Sequence, residues 1–121
     1  GHVTIEDHAT IGAFSGVHQF CRVGAYGFVG GYSVITKDVL PYSKTVSARE
    51  AKNYGVNTIG LERRSFSAES IKAIRSAYRL LLQSGLNTSQ ALNELKEKFS
   101  EFSKIQVLIS FIEKSKRGII K

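Results

Sequence analysis

The residues best suited to chemistry are three histidines and a glutamine near the start of the chain. His2, His8 and His18 can exchange protons or donate hydrogen bonds, and Gln19 directly follows the third of them in "VHQFC". We expect His8 to be an ordinary surface residue. His18 and Gln19 interrupt an apolar, glycine-rich stretch, and such interruptions tend to mark functional positions. Two histidines without a nearby third ligand do not predict a metal site.

Cationic side chains form a second set of candidates. Arg63 and Arg64 are adjacent, and paired guanidinium groups can fork phosphate oxygens. Lys72, Arg75 and Arg79 share one face of a predicted helix, which is either a solvated surface or a docking site for an acidic macromolecule. Because no nucleic-acid-binding signature accompanies this charge, we do not expect a nucleic acid partner.

The charge is concentrated in the second half of the chain. Residues 1–61 carry five basic and four acidic residues, whereas residues 62–121 carry twelve basic and six acidic residues. The second half should therefore attract an acidic partner. A single cysteine excludes an internal disulfide, and no apolar run approaches the roughly 18 residues of a membrane span. With no signal-peptide pattern, these features predict a cytoplasmic protein.

The elements that must position these groups begin with a six-residue repeat. From Ile5 the chain divides into the blocks IEDHAT, IGAFSG, VHQFCR, VGAYGF, VGGYSV and ITKDVL, each opened by Ile or Val. Glycine follows the opener at 12, 24 and 30, and a small residue stands four positions after the first five openers: Ala9, Ser15, Cys21, Gly27 and Ser33. This pattern predicts a parallel β-helix in which openers stack inward about 4.8 Å apart. Cys21 is then a small corner residue rather than a catalytic thiol.

The repeat also predicts which residues lie above one another. Three blocks make one coil of 18 residues, so we expect Gly1 beneath Gln19 and His2 beneath Phe20. The glycines of "GAYGFVGG" follow the six-residue register and do not form a nucleotide-binding loop. Outward aromatic side chains would suit contacts with other copies of the chain, and we expect this of Phe14, Tyr26 and Tyr32.

The second half reads as helical. Pro41 is expected to end the solenoid, residues 42–66 to connect, and residues 67–121 to form an α-helical domain. Ser67 is a predicted N-cap, Gly85 a C-cap, and Asn87 with Gln90 a capping box. A third helix is expected from about residue 105 to 115.

Taken together, several stretches resemble a known family. "GHVTIEDHATIGAFSGVHQFCRVGAYGFVGG", "KDVLPYS", "YGVNTIGLERRSFS" and "IKAIRSAYRLL" resemble the UDP-N-acetylglucosamine O-acyltransferases of lipid A biosynthesis, over essentially all 121 residues. The resemblance is to the C-terminal part of those enzymes. It implies a left-handed parallel β-helix of about two coils followed by a small α-helical domain.

The resemblance also implies an activity. The family enzymes are cytoplasmic homotrimers that move an (R)-3-hydroxyacyl group from acyl carrier protein to the 3-hydroxyl of UDP-N-acetylglucosamine, with no metal and no cofactor. The family's general base lies roughly one coil before Gly1, so we expect this chain to be a piece of a longer protein and to lack the base. Gly1 would supply an oxyanion-binding backbone N–H, and His2 would support catalysis at the sugar and acyl site. His18 and Gln19 would contact the nucleotide, and Gly31 would gate the acyl tunnel and leave room for a longer chain.

Further roles follow from the same resemblance. Phosphate, nucleotide or the carrier's phosphopantetheine would be held by three residues: Asn57, Arg63 and Arg64. Lys72, Arg75 and Arg79 would meet the acidic carrier protein. Two departures affect these assignments: Ile59 stands where the family often has an acidic residue, and "SAREAKN" at 47–53 differs from the family's usual loop.

Two other functions remain open at this point. The chain could be a non-catalytic trimeric scaffold that docks acyl carrier protein through its basic helices. It could also be another hexapeptide-repeat acyltransferase that uses acetyl-CoA, although "VHQFC" and the adjacent arginines argue against that alternative.

Overall fold

The first third of the chain is a stack of very short parallel strands. The structure, a computed structural model, describes residues 1–47 and 50–121. Six two-residue strands follow one another: β1 (Thr4–Ile5), β2 (Thr10–Ile11), β3 (Gly16–Val17), β4 (Arg22–Val23), β5 (Phe28–Val29) and β6 (Val34–Ile35). The strands pair in parallel as β1 with β4, β2 with β5 and β3 with β6, with Ile5 opposite Val23. The predicted six-residue blocks and 18-residue coil are confirmed, and each opener is the second residue of its strand.

The openers form the interior of this stack. Val23, Val29 and Ile35 are fully buried, whereas Ile5 and Ile11 on the outer coil are 46% and 37% exposed. The difference arises because the inner coil is covered on both sides, while the outer coil has a stacked neighbour on only one side.

The corners of the coils carry a second six-residue pattern. Every sixth residue from position 2 to position 32 is His, Phe or Tyr in a left-handed backbone conformation: His2, His8, Phe14, Phe20, Tyr26 and Tyr32. From His8 onward, each of them directly precedes a small corner residue. Their rings stack one coil apart, with centroids 5.2 Å apart for His2–Phe20, 4.8 Å for His8–Tyr26 and 5.3 Å for Phe14–Tyr32. This conformation is sterically unfavourable for residues other than glycine, and each ring stack stabilises the fold by about 0.5–1.5 kcal/mol.

The parallel sheet continues beyond Pro41. Strand β7 (Ser43–Val46) pairs in parallel with β5, with Phe28 opposite Lys44, a spacing of 16 rather than 18 residues. Strand β8 (Lys52–Val56) then pairs antiparallel with β7 and is the last strand of that sheet. Pro41 therefore precedes one further strand of the ladder instead of ending it.

The remainder of the chain holds four helices: α1 (Thr58–Arg63), α2 (Ala68–Gln83), α3 (Thr88–Lys98) and α4 (Ser103–Glu113). The predicted caps are confirmed: Ser67 accepts from the N–H of Ser70, and the Asn87–Gln90 capping box is complete. Gly85, with φ +79°, directly follows the α2 C-cap residue Ser84. No helix in the described part of the chain is both long and apolar enough to cross a bilayer.

Tyrosines join the helices to the coil. Tyr42 donates a hydrogen bond to the carbonyl of Lys104 at 2.9 Å, and Tyr78 donates to the carbonyl of Pro41 at 2.5 Å. Tyr26 packs edge-on against Phe66, with centroids 4.8 Å apart. The expectation of an outward Tyr26 is therefore wrong, because the helical part covers it. Phe14 and Tyr32 are 82% and 68% exposed.

A buried carboxylate connects the coil to the end of the chain. Asp38 is 1% exposed, and its carboxylate accepts hydrogen bonds from the backbone N–H of Arg22 at 2.8 Å and from the Ser115 hydroxyl at 2.6 Å. Its backbone N–H donates to the Gly118 carbonyl at 2.7 Å, and its carbonyl accepts from the Ile120 N–H at 2.8 Å. The C-terminal segment is thus held on the coil by side-chain and backbone bonds to one residue.

Arg22 extends the same junction to α4. One guanidinium nitrogen lies 4.0 Å from the Asp38 carboxylate and donates to the Phe111 carbonyl at 3.1 Å. The guanidinium carbon lies 4.1 Å from the centre of the Phe111 ring, and Glu6 pairs with the other nitrogen at 3.7 Å. One side chain therefore contacts both coils and the last helix.

The glycine at position 12 tests the packing of the coils. A Cβ added there would lie 2.7 Å from the Gly30 carbonyl carbon, whereas a Cβ at Gly16 would have no atom within 4 Å. We expect Gly12→Ala to lower the free energy of unfolding by about 1–3 kcal/mol and Gly16→Ala to change it by less than about 0.5 kcal/mol. Urea denaturation measures both values, and equal losses would contradict the close approach of the coils.

The Asp38 junction gives a second stability prediction. We expect Asp38→Ala to lower the free energy of unfolding by about 3 kcal/mol, because it leaves Arg22 without its buried partner and the Ser115 hydroxyl without its acceptor. Asp7→Ala is the control, since Asp7 is exposed and its carboxylate makes no ion pair among the described residues. Urea denaturation should leave the control within about 0.5 kcal/mol of the unaltered chain. A similar loss in both variants would argue against the junction.

Candidate functional site

Gly1 and His2 form the first corner of the outer coil. The carbonyl of Gly1 accepts a hydrogen bond from the N–H of Phe20 at 3.4 Å, and the His2 ring lies parallel to the Phe20 ring within 5°. The predicted stacking of His2 beneath Phe20 is confirmed. Both Gly1 and His2 are exposed, so a ligand could reach the N–H of the first and the ring of the second.

His18 and Gln19 lie on the coil directly after β3. The His18 N–H donates to the carbonyl of Ile35 at 2.8 Å, so its backbone belongs to the ladder while its side chain is exposed. Its ring atom Nδ1 lies 3.2 Å from the Gln19 carbonyl oxygen and 3.1 Å from Nη2 of Arg117. Sequence reasoning missed Arg117 because 99 residues separate it from His18 and no local pattern links them.

Cys21 occupies the corner next to this pair. It is fully buried, and its N–H donates to the His18 carbonyl at 3.2 Å, which closes the turn. Burial raises the pKa of the thiol and the negative charge of Asp38 raises it further, while Arg117 acts in the opposite direction. The prediction of a small corner residue is confirmed, and a raised pKa does not favour a reactive thiolate.

Gly31 is exposed at the corner of the inner coil. A Cβ at this position would lie 3.3 Å from the carbonyl oxygen of Ala13, so even a methyl group would be closely packed. Glycine therefore leaves open the space that a side chain would occupy.

Asn57 has a structural task in addition to its predicted binding role. It is the N-cap of α1, where its Oδ1 accepts from the Gly60 N–H at 3.4 Å, and its own N–H donates to the Tyr42 carbonyl at 2.8 Å. Because the side-chain oxygen caps the helix, the amide nitrogen is the group left for a ligand.

Arg63 and Arg64 lie at the end of α1, and both are exposed. Neither forms an ion pair among the residues that the structure describes. Ile59, on the same short helix, is 64% exposed. Of the divergent loop at 47–53, Ala48 and Arg49 lie outside the described residues.

The α2 cationic face, formed by Lys72, Arg75 and Arg79, is exposed along its length. Its three residues line a cavity of about 360 Å³ that also includes Glu62 of α1. Arg75 and Arg79 also line a cavity of about 580 Å³, whose other walls include Tyr54, Val56 and Leu82. The face thus combines positive charge with apolar surface beside α1.

The described contacts divide the predicted residues into two groups. The coil group lies on the β-helix: Gly1, His2, His18, Gln19 and Gly31. Stacking and ladder bonds place Gly1 and His2 at the corner of Gln19 and Phe20, whereas Gly31 adjoins Tyr32 at another corner. The helical group lies on α1 and α2: Asn57, Arg63, Arg64, Lys72, Arg75 and Arg79. Within the described ranges, no cluster of three His, Cys, Asp or Glu residues could hold a metal ion.

Comparison with known proteins gives one consistent result. The sequence model of a family described as UDP-N-acetylglucosamine O-acyltransferase, domain 2, matches residues 38–120. The chain belongs to the UDP-N-acetylglucosamine O-acyltransferase family. It is 46% identical over its whole length to the acyl-[acyl-carrier-protein]–UDP-N-acetylglucosamine O-acyltransferase of Alkalilimnicola ehrlichii and covers 46% of that protein. The family resemblance predicted from the sequence is therefore confirmed.

Solved structures of UDP-N-acetylglucosamine acyltransferases agree. The enzyme of Moraxella catarrhalis matches the whole chain with a TM-score of 0.95 at 45% identity, and the chain covers 47% of it. The Arabidopsis enzyme matches the whole chain with a TM-score of 0.92 at 34% identity, with 45% of it covered. The chain spans about half the length of the curated relatives that it matches.

Proposed function

We propose that this chain forms the C-terminal part of an acyltransferase of lipid A biosynthesis. The enzyme moves an (R)-3-hydroxyacyl group from acyl carrier protein to the 3-hydroxyl of UDP-N-acetylglucosamine, the first step of that pathway. The observation that carries this proposal is the 46% identity, over every residue of the chain, to a relative named for this reaction. The exposed His18–Gln19 pair in coil register supports it, because that motif is more specific than the bare repeat.

The proposed reaction transfers an acyl group from the thioester sulfur of the carrier to a hydroxyl oxygen of the sugar. The sugar hydroxyl oxygen bonds to the thioester carbonyl carbon while a general base takes the hydroxyl proton. The carbon–sulfur bond then breaks, and the protonated base returns its proton to the departing sulfur, which leaves as the carrier's thiol. Gly1 stabilises the oxyanion with its N–H, and His2 supports the site. The base comes from a further coil that stacks on the outer one, and the exposure of Ile5 and Ile11 supports such stacking.

The remaining residues bind the substrates in this proposal. His18 and Gln19 contact the nucleotide, and Gly31 admits a longer acyl chain. Phosphate, nucleotide or phosphopantetheine is held by Asn57, Arg63 and Arg64, while the α2 cationic face docks the acidic carrier protein. The exposed, unpaired state of both arginines among the described residues supports the anion-binding role.

The assembly and location belong to the same proposal. We infer a left-handed coil, a homotrimer in the cytoplasm, and division of the chain into coils at 1–41, a connection at 42–66 that holds β7, β8 and α1, and a helical domain at 67–121. Exposed Phe14 and Tyr32 support contacts between copies of the chain. A non-catalytic scaffold that docks the carrier is the second candidate, favoured by the α2 cationic face alone.

Acyl transfer by this chain separates the two candidates. We expect the chain alone to be inactive, and the chain joined to an upstream coil of the family that bears the general base to form product from (R)-3-hydroxyacyl carrier protein and UDP-N-acetylglucosamine. Product is measured by radiolabelled sugar incorporation. If both proteins are inactive while both still bind the carrier, the scaffold replaces the enzyme as the proposed function.

The α2 cationic face predicts a charge-dependent carrier affinity. We expect the triple variant Lys72→Ala, Arg75→Ala, Arg79→Ala to bind acyl carrier protein at least about tenfold more weakly and with a flatter salt dependence, because exposed charges steer and hold an acidic partner. Binding is measured by titration at several salt concentrations.

The control for this experiment removes the same charge elsewhere. The variant Lys114→Ala, Lys116→Ala, Lys121→Ala also lowers the formal net charge of +7 by three units, at exposed positions near the C-terminus. It should retain carrier affinity within about twofold. Equal weakening in both variants would show a general charge effect and would remove the docking role from α2.

A further inference from the structure

Two contacts compete for one ring nitrogen of His18. Its Nδ1 lies 3.1 Å from Nη2 of Arg117 and 3.2 Å from the backbone oxygen of Gln19. A guanidinium group can only donate and a carbonyl oxygen can only accept. In a neutral ring, Nδ1 must be unprotonated to accept from Arg117, whereas it must carry the proton to donate to Gln19. The two contacts therefore select different tautomers.

Charge and geometry favour Arg117 in this competition. A hydrogen bond from a charged donor is roughly twice as strong as one between neutral groups. The backbone of Arg117 is also fixed on both sides, because Ser115 donates to Asp38 at 2.6 Å and the Gly118 carbonyl accepts from the Asp38 N–H at 2.7 Å. Only the side chain of Arg117 must be ordered, which reduces the entropic cost of the contact.

We propose that Arg117 is a positioning residue that holds His18 in the tautomer with its proton on Nε2. The exposed ring then offers an N–H donor at Nε2 to an acceptor oxygen of a bound nucleotide. This use of the donor rests on the proposed function, in which His18 contacts the nucleotide. The carbonyl, hydroxyl and phosphate oxygens of a nucleotide are all acceptors, so the Nε2–H tautomer attracts them.

Loss of Arg117 changes Nε2 of the His18 ring from a hydrogen-bond donor to an acceptor. Without the guanidinium, Nδ1 takes the proton and donates to the Gln19 carbonyl, and Nε2 becomes an acceptor. A lone pair at Nε2 repels the carbonyl and phosphate oxygens that the N–H would bind, because these oxygens can only accept. Arg117 thus acts on the ligand through His18.

The tautomer can be measured directly. In the chain labelled with ¹⁵N-histidine, long-range ¹H–¹⁵N correlation spectra recorded at about pH 8 distinguish protonated from unprotonated ring nitrogens. We expect the proton on Nε2 of His18 in the unaltered chain and a majority population on Nδ1 in Arg117→Ala. Lys116→Ala, which removes the neighbouring cation, should leave the His18 signals unchanged. The signals of His2 and His8 report whether each variant is folded.

A kinetic measurement tests the use of the donor. In the chain joined to the upstream coil, we expect Arg117→Ala to raise the KM for UDP-N-acetylglucosamine about tenfold with kcat changed less than about twofold, and Lys116→Ala to change neither. An unchanged tautomer in Arg117→Ala overturns the positioning role, and a changed tautomer with an unchanged KM overturns the donor role. An inactive extended chain would overturn the proposed function instead, and the spectra would still decide the role of Arg117.

Discussion

The buried carboxylate of Asp38 is the interaction on which the relation of coil, last helix and C-terminal segment depends. A carboxylate that is 1% exposed must be paired, because an unpaired buried charge costs several kcal/mol. The guanidinium group of Arg22 in the coil is its cationic partner, and the Arg22 backbone N–H and the Ser115 hydroxyl donate hydrogen bonds to it. Each partner fixes something further: Arg22 contacts Phe111, and Ser115 precedes the segment that carries Arg117. The side-chain and backbone hydrogen bonds of this one residue therefore hold the C-terminal segment on the coil.

The coil and the helix ends could be predicted from the sequence because local rules determine them. The openers recur every six residues, and each occupies the same place in its strand, so one pattern fixes strands, register and interior together. Ser67 and the Asn87–Gln90 pair were found for a similar reason, since a cap involves residues only three positions apart. The His, Phe and Tyr residues at the corners are equally periodic, and their period is what brings their rings into stacks one coil apart.

The parts that could not be predicted depend on distant or irregular contacts. The last level of the coil is two residues shorter than the others, so Lys44 pairs with Phe28 at a position that the six-residue pattern does not give. The covering of Tyr26 by Phe66 depends on how the helical part packs on the coil. Of the candidate site, the register predicted the stacking of His2 beneath Phe20, whereas the contact of Arg117 with His18 has no periodic signal. The cap that Asn57 forms on α1 is as local as the predicted caps, but it lies in a segment that the sequence indicates only as a connection.

The rigidity of the coil explains why a distant residue is needed to orient His18. The ladder fixes the backbone of His18 through its bond to Ile35, but the side chain is exposed. The coil therefore fixes where the imidazole is attached but does not select one of its two neutral tautomers. Arg117 removes that freedom, and it can do so because Asp38 anchors the segment that carries it. In the proposed arrangement, the ring nitrogen that His18 offers to a ligand is therefore set by Arg117 near the C-terminus, and the buried carboxylate of Asp38 holds the segment that carries Arg117.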